Sequence, residues 1–122
     1  MITTISKTFD FDAAHYLPNV PQGHKCGRMH GHTYRVELIC MGQIDEDAGW
    51  FMDYADIESA WMKIHRQLDH HVLNGIPGLK NPTTEILARW ILERLAPELS
   101  FLARIRVYES STTWVQVSVA GL

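Results

Sequence analysis

The sequence predicts one α+β domain in which two β-hairpins flank two helices, in the order ββααββ, with an antiparallel sheet carrying both helices on one face. Three observations carry this prediction. Apolar and polar residues alternate with period two over two long segments, about 4–15 and 30–41. Two later segments, 57–68 and 86–95, instead repeat apolar residues every third or fourth position. After Pro97 the alternation returns in two short runs separated by Ser110-Ser111-Thr112.

In the first segment Ile5, Lys7, Phe9, Phe11, Ala13 and His15 share one parity, and Thr4, Ser6, Thr8, Asp10 and Asp12 share the other. This is a half-buried strand whose apolar face ends in His15. Residues 17–28, with Pro18, Pro21, Gly23 and Gly27, read as a long loop, and long loops within compact domains are usually functional. The second strand, from His30 to Met41, places His30, His32, Tyr34, Val36, Leu38 and Cys40 on one face. An acidic turn follows, and Asp53 or Asp56 can cap a helix with the stripe Ile57, Trp61, Ile64 and Leu68. That helix gives out at Asp69-His70-His71, before the breakers Asn74-Gly75 and Pro77-Gly78. Asn81-Pro82-Thr83-Thr84-Glu85 reads as the second helix start, with Asn81 as cap, Pro82 in the first turn and Glu85 as an early acid. Its stripe is Ile86, Leu87, Trp90, Ile91 and Leu95. In the last two strands Ala103, Ile105, Val107 and Glu109 share one face, as do Val115, Val117 and Val119. Four strands leave two open edges, so edge-to-edge assembly into an oligomer is expected.

Composition narrows the function classes. The 122 residues make one domain, residues 1–122, long enough to bury a core without staples. A net charge of −3 argues against a broad attraction to nucleic acid or to an anionic membrane. No run approaches the roughly 18 apolar residues of a membrane span. The opening Met-Ile-Thr-Thr-Ile-Ser-Lys has no basic segment leading into an apolar one. Only Cys26 and Cys40 are present, in unlike surroundings, so no disulfide framework is expected and a cytoplasmic location is.

The chemistry concentrates between His24 and Tyr34. In a strand His30 and His32 point the same way, and a hairpin partner brings His15 beside them. Three imidazoles match a zinc site that keeps a fourth position open, although Cys26, four residues before His30, is a possible fourth ligand on spacing alone. Asp69-His70 is a carboxylate beside a histidine, the usual device for drawing a proton from a nucleophile or base such as Cys26. A helix-terminal histidine facing the macrodipole is the plainer reading of His70. Glu109 continues an apolar face, so its carboxylate needs donors, which adjacent N–H groups of a bound heterocycle can supply.

Five motifs stand in order along nearly the whole chain: Ala13-Ala14-His15, Cys26-Gly27-Arg28-Met29-His30-Gly31-His32, Leu68-Asp69-His70-His71, Asn81-Pro82-Thr83-Thr84-Glu85 and Tyr108-Glu109-Ser110. Together they resemble the 6-pyruvoyltetrahydropterin synthase / 6-carboxytetrahydropterin synthase family. The short spacing from Cys26 to His30 resembles the carboxy-forming bacterial branch, in the queuosine pathway. The resemblance implies the tunnelling fold (T-fold), with ββααββ protomers joined edge to edge into a barrel and stacked as a dimer of trimers, a homohexamer. It implies Zn2+ on His15, His30 and His32, Cys26 as proton acceptor, Asp69 and His70 as its relay, and Glu109 as pterin anchor and a further catalytic member of that relay. Thr83 and Thr84 fall where the family contacts the pterin edge. The implied substrate is 7,8-dihydroneopterin triphosphate, converted to 6-carboxytetrahydropterin, acetaldehyde and triphosphate. Two alternatives remain at this point: formation of the pyruvoyl product, and a zinc-dependent pterin-binding module without turnover.

Overall fold

A computed structural model describes all residues, 1–122. Its order is β1 (Thr3–His15), β2 (His30–Gly42), α1 (Tyr54–Leu68), α2 (Thr84–Leu95), β3 (Leu102–Tyr108) and β4 (Trp114–Ser118), with single 3-10 turns at Lys25–Gly27 and Leu73–Gly75. The strands form one antiparallel sheet in the order β1-β2-β3-β4, and the α+β architecture is the one expected.

The parity seen in the sequence is the parity of burial. Phe11, Ala13 and His15 of β1, Tyr34, Val36, Leu38 and Cys40 of β2, and Ile105 and Val107 of β3 are all buried. Ile57, Trp61, Ile64 and Leu68 of α1 pack on this face, as do Leu87, Trp90, Ile91 and Leu95 of α2. Phe9 stacks on Trp61 with ring centroids 5.3 Å apart, and Phe11 on Tyr34 at 5.0 Å. Burying side chains of this size stabilises by about 1.5–3 kcal/mol each, so the aromatic layer anchors the strand segments that lead into the histidines. One irregularity falls between Ile39 and Cys40, where Ile39 faces Arg104 but Cys40 faces Leu102. The extra residue in β3 is why Leu102 and Ala103 are both buried.

The two helix starts differ from each other. Asp53 caps α1, accepting from the Ala55 amide at 2.8 Å. The cap of α2 is Thr83 rather than Asn81: its hydroxyl accepts from the Ile86 amide at 3.1 Å. The Asn81 carbonyl closes a turn with the Thr83 amide at 2.9 Å, which leaves Pro82 just ahead of the helix.

The edges are unequal. Near its end, β1 is covered by residues 70–72: the His70 amide donates to the Asp12 carbonyl at 2.6 Å, and the Ala14 amide to the His71 carbonyl at 3.1 Å. The rest of that edge and the outer edge of β4 have no strand beside them. No helix is long and apolar enough to cross a membrane.

Candidate metal centre and active site

The β1–β2 register builds the histidine cluster. His15 lies directly opposite His30 and Ala13 opposite His32, with no slip along the hairpin. Two imidazoles therefore form a direct cross-strand pair and the third sits on the diagonal, all on the helix-covered face. Their candidate ligand atoms lie within 4.8 Å of one another. The rings meet edge to face, with interplanar angles of 65°, 82° and 88°.

Hydrogen bonds fix which ring nitrogens face inward. His15 Nδ1 is 2.8 Å from the Pro82 carbonyl and His30 Nδ1 is 2.7 Å from the Arg28 carbonyl. A carbonyl only accepts, so both Nδ1 atoms carry the hydrogen and each neutral ring turns its Nε2 lone pair to the centre. Those two Nε2 atoms stand 3.0 Å apart, an arrangement that is repulsive unless a cation lies between them. His32 Nε2 is buried with no hydrogen-bond partner, and an unmet buried polar atom costs about 1–3 kcal/mol. Burial, the largest cause, holds His15 and His32 below the ordinary histidine range, which favours the neutral, ligating form. Nitrogens bound to one tetrahedral zinc at about 2.0–2.1 Å stand roughly 3.3 Å from each other, close to the His15–His30 separation. The three histidines fit a metal ion.

Cys26 is half-buried and outside this cluster. It sits on the Lys25–Gly27 turn, where His24 Nδ1 caps its amide at 3.0 Å and its carbonyl accepts from the Leu17 amide at 2.8 Å. These bonds hold the turn against the end of β1. The Cys26 thiol makes no hydrogen bond within the protomer.

Asp69 and His70 form the expected pair. His70 Nδ1 donates to Asp69 Oδ2 at 2.9 Å, and Asp69 Oδ1 accepts the Asp12 amide at 3.0 Å. The Asp12 amide, then His70, hold the Asp69 carboxyl below the usual range, and Asp69 in turn raises His70. His70 has φ 59°, a left-handed backbone that costs a non-glycine residue about 1–2 kcal/mol. Its amide bond to Asp12 and its ring bond to Asp69 hold it there. With its side chain 78% exposed, His70 presents Nε2 outward. It shares with His32 a depression of about 520 Å³, also lined by Ala14 and Thr33. No hydrogen bond joins Cys26 to His70 within the protomer.

Glu109 stands just past β3, its side chain 35% exposed, with Oε1 3.8 Å from His32 Nε2. Thr84 donates its hydroxyl to Oε2 at 2.7 Å. Thr83 is occupied by the α2 cap described above. Sequence reading missed three participants: the Pro82 carbonyl, Tyr34, whose hydroxyl lies 3.3 Å from His15 Nδ1, and Asn74. Tyr34 had a signal, because it follows His30 and His32 on the same face. The other two had none.

A family model described as 6-pyruvoyl tetrahydropterin synthase matches residues 4–119. The chain belongs to this family. A 6-carboxy-5,6,7,8-tetrahydropterin synthase of Synechocystis is 34% identical over 96 residues, covering 75% of this chain and 73% of the relative. A dihydroneopterin monophosphate aldolase of Pyrococcus furiosus is 33% identical over 110 residues, covering 88% and 90%. The Caenorhabditis elegans 6-pyruvoyl tetrahydropterin synthase structure superposes with a TM-score of 0.90 at 22% identity, over 98% of this chain and 97% of that one. The protomer therefore has the tunnelling fold expected from the motifs. Membership of the family makes this a pterin-processing protein.

Proposed function

We propose that the chain is a zinc-dependent 6-carboxytetrahydropterin synthase, a carbon–carbon lyase of the queuosine pathway acting in the cytoplasm on 7,8-dihydroneopterin triphosphate. The observation that carries this reading is that the ligand atoms of three histidines converge within 4.8 Å while Cys26, four residues ahead of His30, is not among them. That leaves an open metal position and a free thiol on the same hairpin. When bound, zinc supplies Lewis-acid stabilisation of charge developing on the oxygens of the substrate side chain.

The chain's own residues do the rest. Glu109, fixed by Thr84, presents a carboxylate acceptor to the N–H edge of the pterin, with the Thr83–Thr84 helix start beside that edge. Anchoring the ring there holds its side chain over the histidine cluster, 3.8 Å from Glu109 at His32. Cys26 takes the proton released from the side-chain carbons. His70, oriented by Asp69, carries protons onward.

Offering the purified protein 7,8-dihydroneopterin triphosphate and weighing the products tests the reading. We expect 6-carboxytetrahydropterin, acetaldehyde and triphosphate. A pyruvoyl product without acetaldehyde rejects it in favour of the sister activity. Tight binding without turnover makes the protein a pterin-binding module. Turnover confined to the monophosphate aligns it with the Pyrococcus relative.

Assembly belongs to the same reading. No hydrogen bond joins Cys26 to the Asp69–His70 pair within one protomer, the outer edge of β4 is unpaired, and Trp114 on it is 49% exposed. We expect a homohexamer, a dimer of trimers, by light scattering at micromolar concentration. A monomer there overturns this part of the proposal.

A further inference from the structure

The free edge of β1 at its histidine end is bonded outward at alternate residues. Asp12 receives His70 and donates to Asp69, the Ala14 amide donates to His71, and Tyr16, the residue after His15, is met by the side chain of Asn74. Asn74 Oδ1 accepts the Tyr16 amide at 3.1 Å and its Nδ2 donates to the Tyr16 carbonyl at 2.9 Å. A carboxamide has the same donor and acceptor as a peptide group, so this one side chain replaces a neighbouring strand at the point where β1 ends. Nδ2 also reaches the Lys80 carbonyl at 3.4 Å. Lys80 leads into Pro82, the residue whose carbonyl accepts from His15 Nδ1.

Asn74 is itself held firmly. It stands on the Leu73–Gly75 turn, whose Leu73 is fully buried, and Leu79 at the far end of the same loop is fully buried as well. The side chain thus links the two constraints on His15: the backbone that carries it and the loop that fixes its ring.

We propose that Asn74 is a positioning residue for the metal centre, clamping Tyr16 and the 80–82 turn so that His15 presents Nε2 to the ion. The inference rests on the reading of the three histidines as a zinc site. It makes Asn74 matter to metal affinity although it is no ligand and sits outside the catalytic groups. Partners that orient a ligating histidine typically contribute about 10–100-fold to metal affinity.

Zinc affinity of Asn74→Ala, measured by competition with a chromophoric chelator, should be weaker than wild type, by up to the about 10–100-fold that a direct hydrogen-bond partner of a ligating histidine contributes. The visible absorption of the cobalt-substituted variant should shift or weaken, since it reports the geometry of the ligands, which loss of packing alone in a distant loop would not move. The near-isosteric Asn74→Asp keeps the acceptor for the Tyr16 amide and loses both donor bonds, so it should weaken zinc binding too. Wild-type affinity and an unchanged cobalt spectrum in either folded variant overturn the proposal. Hydrogen exchange on the wild-type protein gives a reading that needs no variant: the Tyr16 amide should be protected, and fast exchange there overturns the clamp. If wild-type protein binds no stoichiometric zinc, the metal reading itself fails, whereas normal zinc in the wild type with no loss in the variants fails Asn74 alone.

Discussion

Cys26→Ala should keep its fold and its zinc and lose turnover by about 10²–10⁴-fold in kcat, the range associated with removing a positioned proton-transfer group. The expectation follows from where the thiol lies. The histidines already converge within 4.8 Å as a set of three, without Cys26. The turn that carries Cys26 is held by its backbone, through His24 and Leu17, and not by its sulfur. Alanine keeps all of those bonds. Metal analysis and steady-state kinetics on the same preparation check the prediction together. If Cys26 were a fourth ligand, the variant would lose zinc affinity, and the wild type would lack the open position that Lewis-acid chemistry requires.

How much of this was legible in the sequence depends on the kind of signal. Strand parity was strong because one face of the sheet is buried and the other is not, so the positions of His15, His30, His32 and Tyr34 on one face followed from counting by two. The β1–β2 register was not countable, because the long loop between the strands does not fix their offset; the hairpin brought His15 to the His30/His32 end, and the fold shows that it faces His30. Glu109 was legible by the same parity. The start of α2 was less so. Asn81, Thr83 and Thr84 are all competent caps, and Thr83 is the one whose hydroxyl reaches the Ile86 amide, whereas the Asn81 side-chain oxygen meets no donor. The contributions of Pro82 and Asn74 had no periodic signature. One is a main-chain oxygen and the other a side chain standing in for a strand, so only the folded chain shows which loop meets which strand end.

His30→Ala and His32→Ala should each abolish stoichiometric zinc binding: about one zinc per chain in the wild type, close to none in the variants after dialysis against a chelator. They are more informative than His15→Ala. His15 is only 1% exposed and is tied to Pro82 and Tyr34, so its removal disturbs the core as well as the ligand set. His30 and His32 stand nearer the surface, and the bond His30 makes to Arg28 closes only a local turn. Thermal denaturation adds a second reading with the opposite sign from ordinary core damage. Without metal, the His15 and His30 Nε2 atoms at 3.0 Å need a proton between them to avoid opposed lone pairs, and His32 Nε2 is unpaired. Removing either His30 or His32 relieves one of these costs, so the metal-free variants should melt no lower than the metal-free wild type. The stabilisation that zinc confers on the wild type, about 2.7 kcal/mol at a hundredfold excess over Kd, should vanish in both. Variants that kept full zinc would show that the histidine cluster is not the metal site. Variants that lost zinc but melted well below the metal-free wild type would show that the cluster's main role is packing, with metal held only as a consequence.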